Sequence, residues 1–259
     1  MICEKILKGL PLEDIFVFDV HGHCGHFWDI LAMNVSAETM IPTMDALGVD
    51  MLCLSASLAC SSDVQVGNQM VLDAIKAHPG RIYGYAIPTP WYENENFEDF
   101  FKPGTGMLGV KIHASLAQSE INAPGYDSVY ELANKRGLPV LFHTWTAGHI
   151  HQVEEVAQRF KDMKIIIAHS AFRDDSTRYA VIDFCKKNEN VYVDTAISTT
   201  YEGSLEWMVG KIGADRVLFG SDISFYEARH NFGRIGLSKL SEADKIKIYG
   251  ENARKLFAL

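Results

Sequence analysis

The chain has 259 residues, of which 47% are hydrophobic and 22% are charged. This balance is typical of a globular protein with a large buried core, and it excludes an extended disordered chain. The net charge of −9 argues against a nucleic-acid partner, because binding to a phosphate backbone depends on clustered Lys and Arg side chains.

The first 18 residues alternate charged and apolar side chains too closely for the core of a signal peptide. No segment approaches the roughly 18 apolar residues that a membrane span requires. The five cysteines are widely spaced, and they fit neither a disulfide framework nor a CxxC site. We therefore expect a cytoplasmic protein that has reduced thiols and no membrane or nucleic-acid partner.

Eight short apolar runs, each bounded by turn residues or polar breaks, predict β-strands. They lie at residues 15–23, 49–55, 82–88, 108–113, 138–143, 164–169, 190–195 and 216–222. Helical patterns occupy most of the intervals, among them 126–136, 150–160, 179–187 and 205–212. The sequence also predicts a short helix at 95–101, and a helix from 241 that stops at Gly250 before a final helix capped by Asn252.

Successive predicted strands begin about 30 residues apart, which is the period of a repeated β-α unit. Nearly continuous apolar strands that alternate with helices indicate a parallel sheet covered by helices. Eight such units predict an α/β protein with a closed (β/α)8 TIM barrel, and a doubly wound open sheet is the alternative fold. No linker rich in Ser, Gly or Pro interrupts the series, so we expect one domain over residues 1–259.

Several predicted strands end in a residue that can bind a metal ion or move a proton. The carboxyl ends of barrel strands open onto one face, so such residues converge there. His21 would share one face of the first strand with His23, because side chains alternate along a strand. These strand-end residues are His23, His113, His143, His169 and Asp222.

Left unpaired, each buried imidazole or carboxylate would cost about 1–3 kcal/mol. A divalent cation would satisfy all of them together. We therefore expect one such ion as the cofactor, with Zn²⁺ as the first choice and Mn²⁺, Fe²⁺ or Co²⁺ as alternatives.

Six motifs occur in order along the chain: FDVHGH, GVKIH, LPVLFHTW, IIIAHS, VLFGSD and IYGENARKLF. With them the chain resembles the amidohydrolase superfamily, in the amidohydrolase-related (amidohydrolase 2) branch. That branch also contains decarboxylases similar to aminocarboxymuconate-semialdehyde decarboxylase. TatD-like nucleases share the DxHxH start, but the acidic residue of their third or fourth strand is missing here.

The resemblance implies a residue-by-residue assignment of the site. His169 would contact a metal-activated water or a substrate oxygen, and Asp222 would accept the proton of that water, so these two residues are the expected catalytic pair. The implied metal ligands are His21, His23, His143 and Asp222.

Lys111 raises the question of a second metal ion, because some members of the superfamily bridge two ions through a carboxylated lysine at the end of the fourth strand. The preferred interpretation is a core lysine neutralised by an inward acid such as Asp19. His113 is expected to line the pocket and contact substrate rather than to bind metal.

Loops that follow the strands would form the substrate pocket. Trp28 after the first strand and Trp145 after the fifth are candidate walls, although each fits a loop core equally well. Arg173 after the sixth strand could hold a substrate carboxylate with two hydrogen bonds. Its alternative role is a surface pair with Asp174 or Asp175.

The leading functional hypothesis is hydrolysis of an amide, ester or lactone bond in a small molecule by a metal-activated water. The alternative is non-oxidative decarboxylation of an aromatic or unsaturated acid by the same ligands, which a dry pocket with an arginine or aromatic clamp would favour. A barrel that binds metal or ligand without turnover is the third possibility. A homodimer is a further expectation, because many barrels of this kind pair through their outer helices.

Overall fold

The computed structural model describes residues 1–27, 30–32, 35–169, 171, 173–197 and 201–259. Its strands are β1 Phe18–Cys24, β2 Met51–Ala56, β3 Ile82–Ala86, β4 Met107–Ile112, β5 Pro139–His143, β6 Lys164–Ala168, β7 Val191–Asp194 and β8 Val217–Leu218. Its α-helices are α1 Ile2–Leu7, α2 Ala37–Leu47, α3 Ser57–Ser61, α4 Val64–Ala77, α5 Asp127–Arg136, α6 Ala147–Arg159, α7 Asp175–Lys187, α8 Ser204–Ile212, α9 Ala228–Leu237, α10 Glu242–Ile246 and α11 Asn252–Phe257. Short 3₁₀ turns lie at Phe97–Phe101, Pro124–Tyr126 and Ala214–Arg216.

The eight strands form one sheet in the order β1 to β8, and each strand pairs in parallel with the next. Backbone hydrogen bonds between β1 and the segment after β8 join the two ends of this sheet. Val20 N–H donates to the Phe219 carbonyl at 3.0 Å, and Asp222 N–H donates to the His21 carbonyl at 2.8 Å. The predicted (β/α)8 barrel is therefore confirmed, and the doubly wound open sheet was the wrong alternative.

Strands of this barrel are buried on both faces, which explains why they read as continuous apolar runs. One apolar layer packs between the sheet and the helices, and a second fills the barrel interior with residues such as Phe18, Tyr85 and Ile166. Phe257 of the last helix lies 5.3 Å from the Phe18 ring. The last helix therefore packs against the interior layer at the amino-terminal end of the barrel, opposite the carboxyl strand ends.

The helices predicted at 126–136, 150–160, 179–187 and 205–212 are confirmed, whereas the short helix predicted at 95–101 is the 3₁₀ turn Phe97–Phe101. Two of the confirmed helices begin earlier than their apolar periodicity indicated. The Thr146 hydroxyl caps α6 by accepting the His149 N–H at 3.3 Å, and Asp174 caps α7 by accepting the Thr177 N–H at 3.0 Å. The first turn of each helix is polar and carries little apolar periodicity, so the sequence placed the start of each helix three or four residues too late. Among the described helices, none is long and apolar enough to cross a membrane.

The prediction that a helix stops at Gly250 was wrong. Residues Lys247–Glu251 form a π-helical turn that leads directly into α11, and Asn252 lies inside the helix rather than at its cap. A Cβ atom on Gly250 would meet the Phe16 carbonyl oxygen at 2.2 Å. Glycine is needed here for close packing against the chain before β1 and does not end the helix.

Candidate active site

Three predicted metal ligands converge where β1 meets the end of β8. Nε2 of His21 and Nε2 of His23 lie 3.2 Å apart. Oδ1 of Asp222 lies 3.6 Å from the first of these atoms and 3.3 Å from the second. One ligand atom from each residue falls within 4.8 Å of the others, and all three side chains are buried.

An unusual backbone conformation directs two of the polar residues at the mouth of the barrel. Asp222 has φ 62° and His169 has φ 65°. Residues other than glycine rarely adopt a left-handed conformation, and such strain concentrates at functional sites. The Asp222 N–H donates to the His21 carbonyl at 2.8 Å, so the strained turn after β8 is held against β1.

Hydrogen bonds on the far side of each imidazole orient the pair from β1. Oδ2 of Asp194, a buried residue at the end of β7, lies 2.7 Å from Nδ1 of His21. Nδ1 of His23 lies 3.1 Å from the Ser55 hydroxyl. Because a carboxylate accepts the Nδ1–H of His21, the lone pair of this ring lies on Nε2, which faces the cluster.

The electrostatic environment favours neutral imidazoles beside an ionised carboxylate. Burial lowers the pKa of His21 and of His23 below the ordinary histidine value. Burial by itself would raise the pKa of Asp222, but the electrostatic effect of His21 and the other nearby imidazoles prevails and lowers it below the usual range. This is the protonation pattern that a divalent cation needs in its ligands.

The donor set fits such a cation. Oδ1 of Asp222 is buried and accepts no hydrogen bond within the described part of the chain. Leaving a buried carboxylate oxygen without a partner is costly. Two imidazole nitrogens and one carboxylate oxygen suit several divalent metals, including zinc and manganese.

His143, His169 and His113 lie beside this group in a second row. Nδ1 of His143 is 3.1 Å from Nε2 of His169, whose own Nδ1 is bonded to the Ala196 carbonyl. The His143 ring stacks on the His113 ring at 3.8 Å and 12°. Among the described residues, His143 stays outside the three-residue group, so its role as a ligand stays a prediction.

Lys111 is fully buried, and its Nζ lies 2.9 Å from Nε2 of His21. The expectation that Asp19 pairs with this lysine was wrong. Asp19 instead accepts two hydrogen bonds from Ser221, which lies after β8. The backbone N–H of Ser221 donates to Oδ1 of Asp19 at 2.9 Å, and the Ser221 hydroxyl donates to Oδ2. Burial lowers the pKa of Lys111, and its part in a second metal site remains a prediction.

A cavity of about 400 Å³ opens above the cluster at the carboxyl end of the barrel. Its walls are mostly aromatic and aliphatic, and Phe225 stacks on the His23 ring at 4.6 Å and 17°. The side chains that line it include His23, Phe27, Ile30, His113, Leu116, His143, Trp145, His149, His169, Ile197, Asp222, Phe225 and Tyr226.

The structure brings two of the predicted substrate contacts together, and one of them, Trp145, lines this cavity. The guanidinium carbon of Arg173 lies 3.9 Å from the centroid of the Trp145 ring. Nε of Arg173 is also 3.8 Å from Asp174 Oδ2, so the surface pair considered from the sequence exists as a long contact. Trp28 lies outside the described residues.

Sequence reasoning missed Asp194, Ser55 and Phe225. Asp194 is the last residue of β7, so the strand-end rule that selected the histidines could have found it. Ser55 carries no such signal, because a serine within a strand is common. Phe225 looks like any apolar residue after a strand, and only the stacking on His23 reveals its place in the site.

The fold and the site together define a (β/α)8 barrel with a buried His-His-Asp centre at its catalytic face. A family model described as amidohydrolase matches residues 19–259. The chain therefore belongs to the amidohydrolase family and is an enzyme of that superfamily. A 72-residue segment is 35% identical to gamma-resorcylate decarboxylase from Rhizobium sp., and it spans 28% of this chain and 22% of that protein.

Solved structures with the same fold include three decarboxylases. The 2,6-dihydroxybenzoate decarboxylase from Rhizobium aligns with a TM-score of 0.75 and 17% identity over 94% of this chain and 99% of that one. A dihydroxybenzoic acid decarboxylase from Polaromonas sp., with bound manganese and 2-nitroresorcinol, aligns with a TM-score of 0.74 and 18% identity over 95% and 97%. The 5-carboxyvanillate decarboxylase from Sphingomonas paucimobilis aligns with a TM-score of 0.71 and 13% identity over 95% and 99%.

Proposed function

We propose that this protein is a metal-dependent, non-oxidative decarboxylase of a hydroxylated aromatic carboxylic acid. The observation that carries the proposal is the cavity, in which flat rings and aliphatic side chains enclose the space above the His-His-Asp cluster. Parallel ring surfaces suit a flat aromatic substrate. The similarity to gamma-resorcylate decarboxylase supports the same reaction.

The walls also favour decarboxylation over the hydrolysis that the sequence first suggested. Hydrolysis needs a water molecule with free access to the reacting carbon. Phe27, Ile30, Leu116 and Phe225 give the cavity an apolar surface beside its serines and histidines, so a bound ring would displace water from these walls.

We propose that His21, His23 and Asp222, with His143 as the fourth ligand, hold a single divalent cation, either manganese or zinc. Such an ion, when bound, would supply positive charge that stabilises negative charge developing on the substrate oxygens. The manganese named for the Polaromonas decarboxylase supports that metal, and the nitrogen and oxygen donors also fit zinc.

Decarboxylation replaces the carboxylate of the substrate with hydrogen, so the ring carbon that carries it must receive one proton. Asp222 is ionised and lies under the cavity. It can therefore accept the proton of an adjacent ring hydroxyl and transfer it to that carbon. The carbon–carboxylate bond then breaks, carbon dioxide leaves, and its bonding electrons restore the aromatic ring.

His169 would orient the carboxylate of the substrate during this transfer. Its Nδ1 is committed to the Ala196 carbonyl and its Nε2 lies 3.1 Å from Nδ1 of His143, so Nε2 would have to exchange His143 for the substrate carboxylate. Arg173, stacked on Trp145, would attract the anionic substrate to the same mouth.

The test is incubation of metal-loaded protein with a panel of hydroxybenzoic acids, including 2,6-dihydroxybenzoate, in deuterated water. We expect carbon dioxide and a phenol with one deuterium at the carbon that held the carboxylate. The Asp222→Asn protein should release neither product. Hydrolysis of an amide, ester or lactone panel without any decarboxylation would overturn the proposal and restore the hydrolase hypothesis.

A further inference from the structure

His149 lines the cavity but has no part in the chemistry proposed above. It occupies the first turn of α6, three residues after the capping residue Thr146. Its backbone N–H donates to the Thr146 hydroxyl at 3.3 Å, and Nδ1 of its ring accepts a hydrogen bond from the backbone N–H of Trp145 at 3.0 Å. These two bonds resemble a capping box and hold the ring in one orientation.

The contact with Trp145 determines where the proton of this imidazole lies. A backbone N–H can only donate, so the atom that it contacts, Nδ1 of His149, must be the acceptor. The ring is therefore neutral and carries its proton on Nε2. That N–H makes no hydrogen bond to the described residues, and the nearby Glu120 carboxylate is bonded to the Gln152 side chain instead.

The place of His149 in the barrel puts it on one wall of the pocket. His149 follows β5, and Ser115 and Leu116 of the neighbouring wall follow β4. In an eight-stranded ring these strands lie across from β8 and β1, whose loops contribute Phe225 and Phe27. A bound ring would therefore lie between Phe27 and Phe225 on one side and His149 on the other.

We propose that His149 is a specificity-determining residue whose Nε2–H binds an oxygen substituent on the ring edge facing α6. The substrate class is thus an aromatic acid that carries at least one oxygen on that edge, in addition to the group at the metal cluster. This inference rests on the proposed function, because it assumes that an aromatic acid occupies the cavity. A site built to hydrogen-bond a substrate oxygen discriminates against the analogue that lacks it.

Two variants separate the donor from the contact that anchors Trp145. In His149→Asn the amide oxygen can take the place of Nδ1 and keep the Trp145 N–H bonded, while the reach toward the cavity is lost. In His149→Gln the longer amide places its NH₂ group near the position of Nε2, while the bond to Trp145 is lost. Only the first variant should abolish recognition of the substituent.

Binding can be measured without turnover by using nitrophenols, because a nitro group is not lost as carbon dioxide. The probes are 2-nitrophenol and the isomeric nitrodihydroxybenzenes that carry one additional ring hydroxyl, including 2-nitroresorcinol, titrated calorimetrically into metal-loaded protein. For wild type we expect one isomer to bind about threefold to tenfold more tightly than 2-nitrophenol, which is the range of one neutral hydrogen bond. His149→Asn should lose this preference, and His149→Gln should retain part of it.

Three results would overturn the inference: no isomer preferred by wild type, a preference that survives in His149→Asn, or a preference lost only in His149→Gln. The last result would show that the ring acts solely by holding Trp145. Turnover of hydroxybenzoic acids is assayed separately. A protein that shows the His149-dependent preference but releases no carbon dioxide would contradict the proposed reaction and leave the binding assignment intact.

Discussion

Asp194 supports the sharpest prediction about the metal centre, because its carboxylate determines which nitrogen of His21 carries the lone pair. Oδ1 accepts the N–H groups of His169 and Ala196, each at 3.2 Å, and Oδ2 faces Nδ1 of His21 at 2.7 Å. Asp194→Asn keeps an oxygen for the two backbone groups. Its NH₂ group, however, would then face the Nδ1–H of His21.

Two donors cannot share that contact, so His21 must move its proton to Nε2 or rotate away. Either change removes one ligand lone pair from the cluster. Substitutions of groups that orient a metal-bound histidine reduce metal affinity by about tenfold to a hundredfold, which corresponds to about 1.4–2.8 kcal/mol of binding free energy. Burial raises the pKa of Asp194 to about 6, so the comparison should be made at pH 8, where the wild-type carboxylate is ionised.

The assay is competition with a chromophoric chelator for Mn²⁺ or Zn²⁺, with circular dichroism to show that the variant is folded. Thr195→Ser is a matched control, because it changes the adjacent residue and keeps the hydroxyl that bonds to Gly220. A folded Asp194→Asn protein with wild-type metal affinity would refute the assignment of the His21 tautomer and the role of Asp194.

Three further predictions concern the same end of the barrel. The double variant His21→Ala/His23→Ala should lose its metal by elemental analysis, and full retention would show that the ion is bound elsewhere. Burial raises the pKa of Asp19 to about 7, so its contribution to stability is complete below about pH 4 and is lost as the pH rises through 7. The metal-depleted wild type should therefore lose more unfolding free energy between pH 5 and 8 than Asp19→Asn does. Equal losses in the two proteins, measured by chemical denaturation at each pH, would contradict the raised pKa of Asp19. Arg173→Met should weaken binding of anionic aromatic acids about tenfold. Arg173→Lys should recover little of this affinity, because lysine lacks the planar group that stacks on an aromatic ring. Equal affinity in all three proteins would show that Arg173 does not contact the substrate.

Much of the fold could be predicted because barrel strands are buried on both faces. Their apolar runs and the turn residues between them locate all eight strands, and the predicted run 138–143 differs from the observed strand Pro139–His143 by a single residue. Helix starts were less accurate, since a first turn capped by Thr146 or Asp174 is polar. The behaviour of Gly250 could not be read from the sequence at all, because its cause is the Phe16 backbone more than 200 residues away.

Strand-end chemistry allowed the sequence alone to select His21, His23 and Asp222, since parallel strands of a barrel all end on one face. The tertiary structure decided which atoms of these residues meet and which neighbours orient them. It pairs Lys111 with His21 rather than with Asp19, places Asp194 behind His21, and leaves Nε2 of His149 without a hydrogen bond to the described residues. These contacts join residues from different strands, and their geometry depends on how the barrel closes between β8 and β1, which no local pattern encodes.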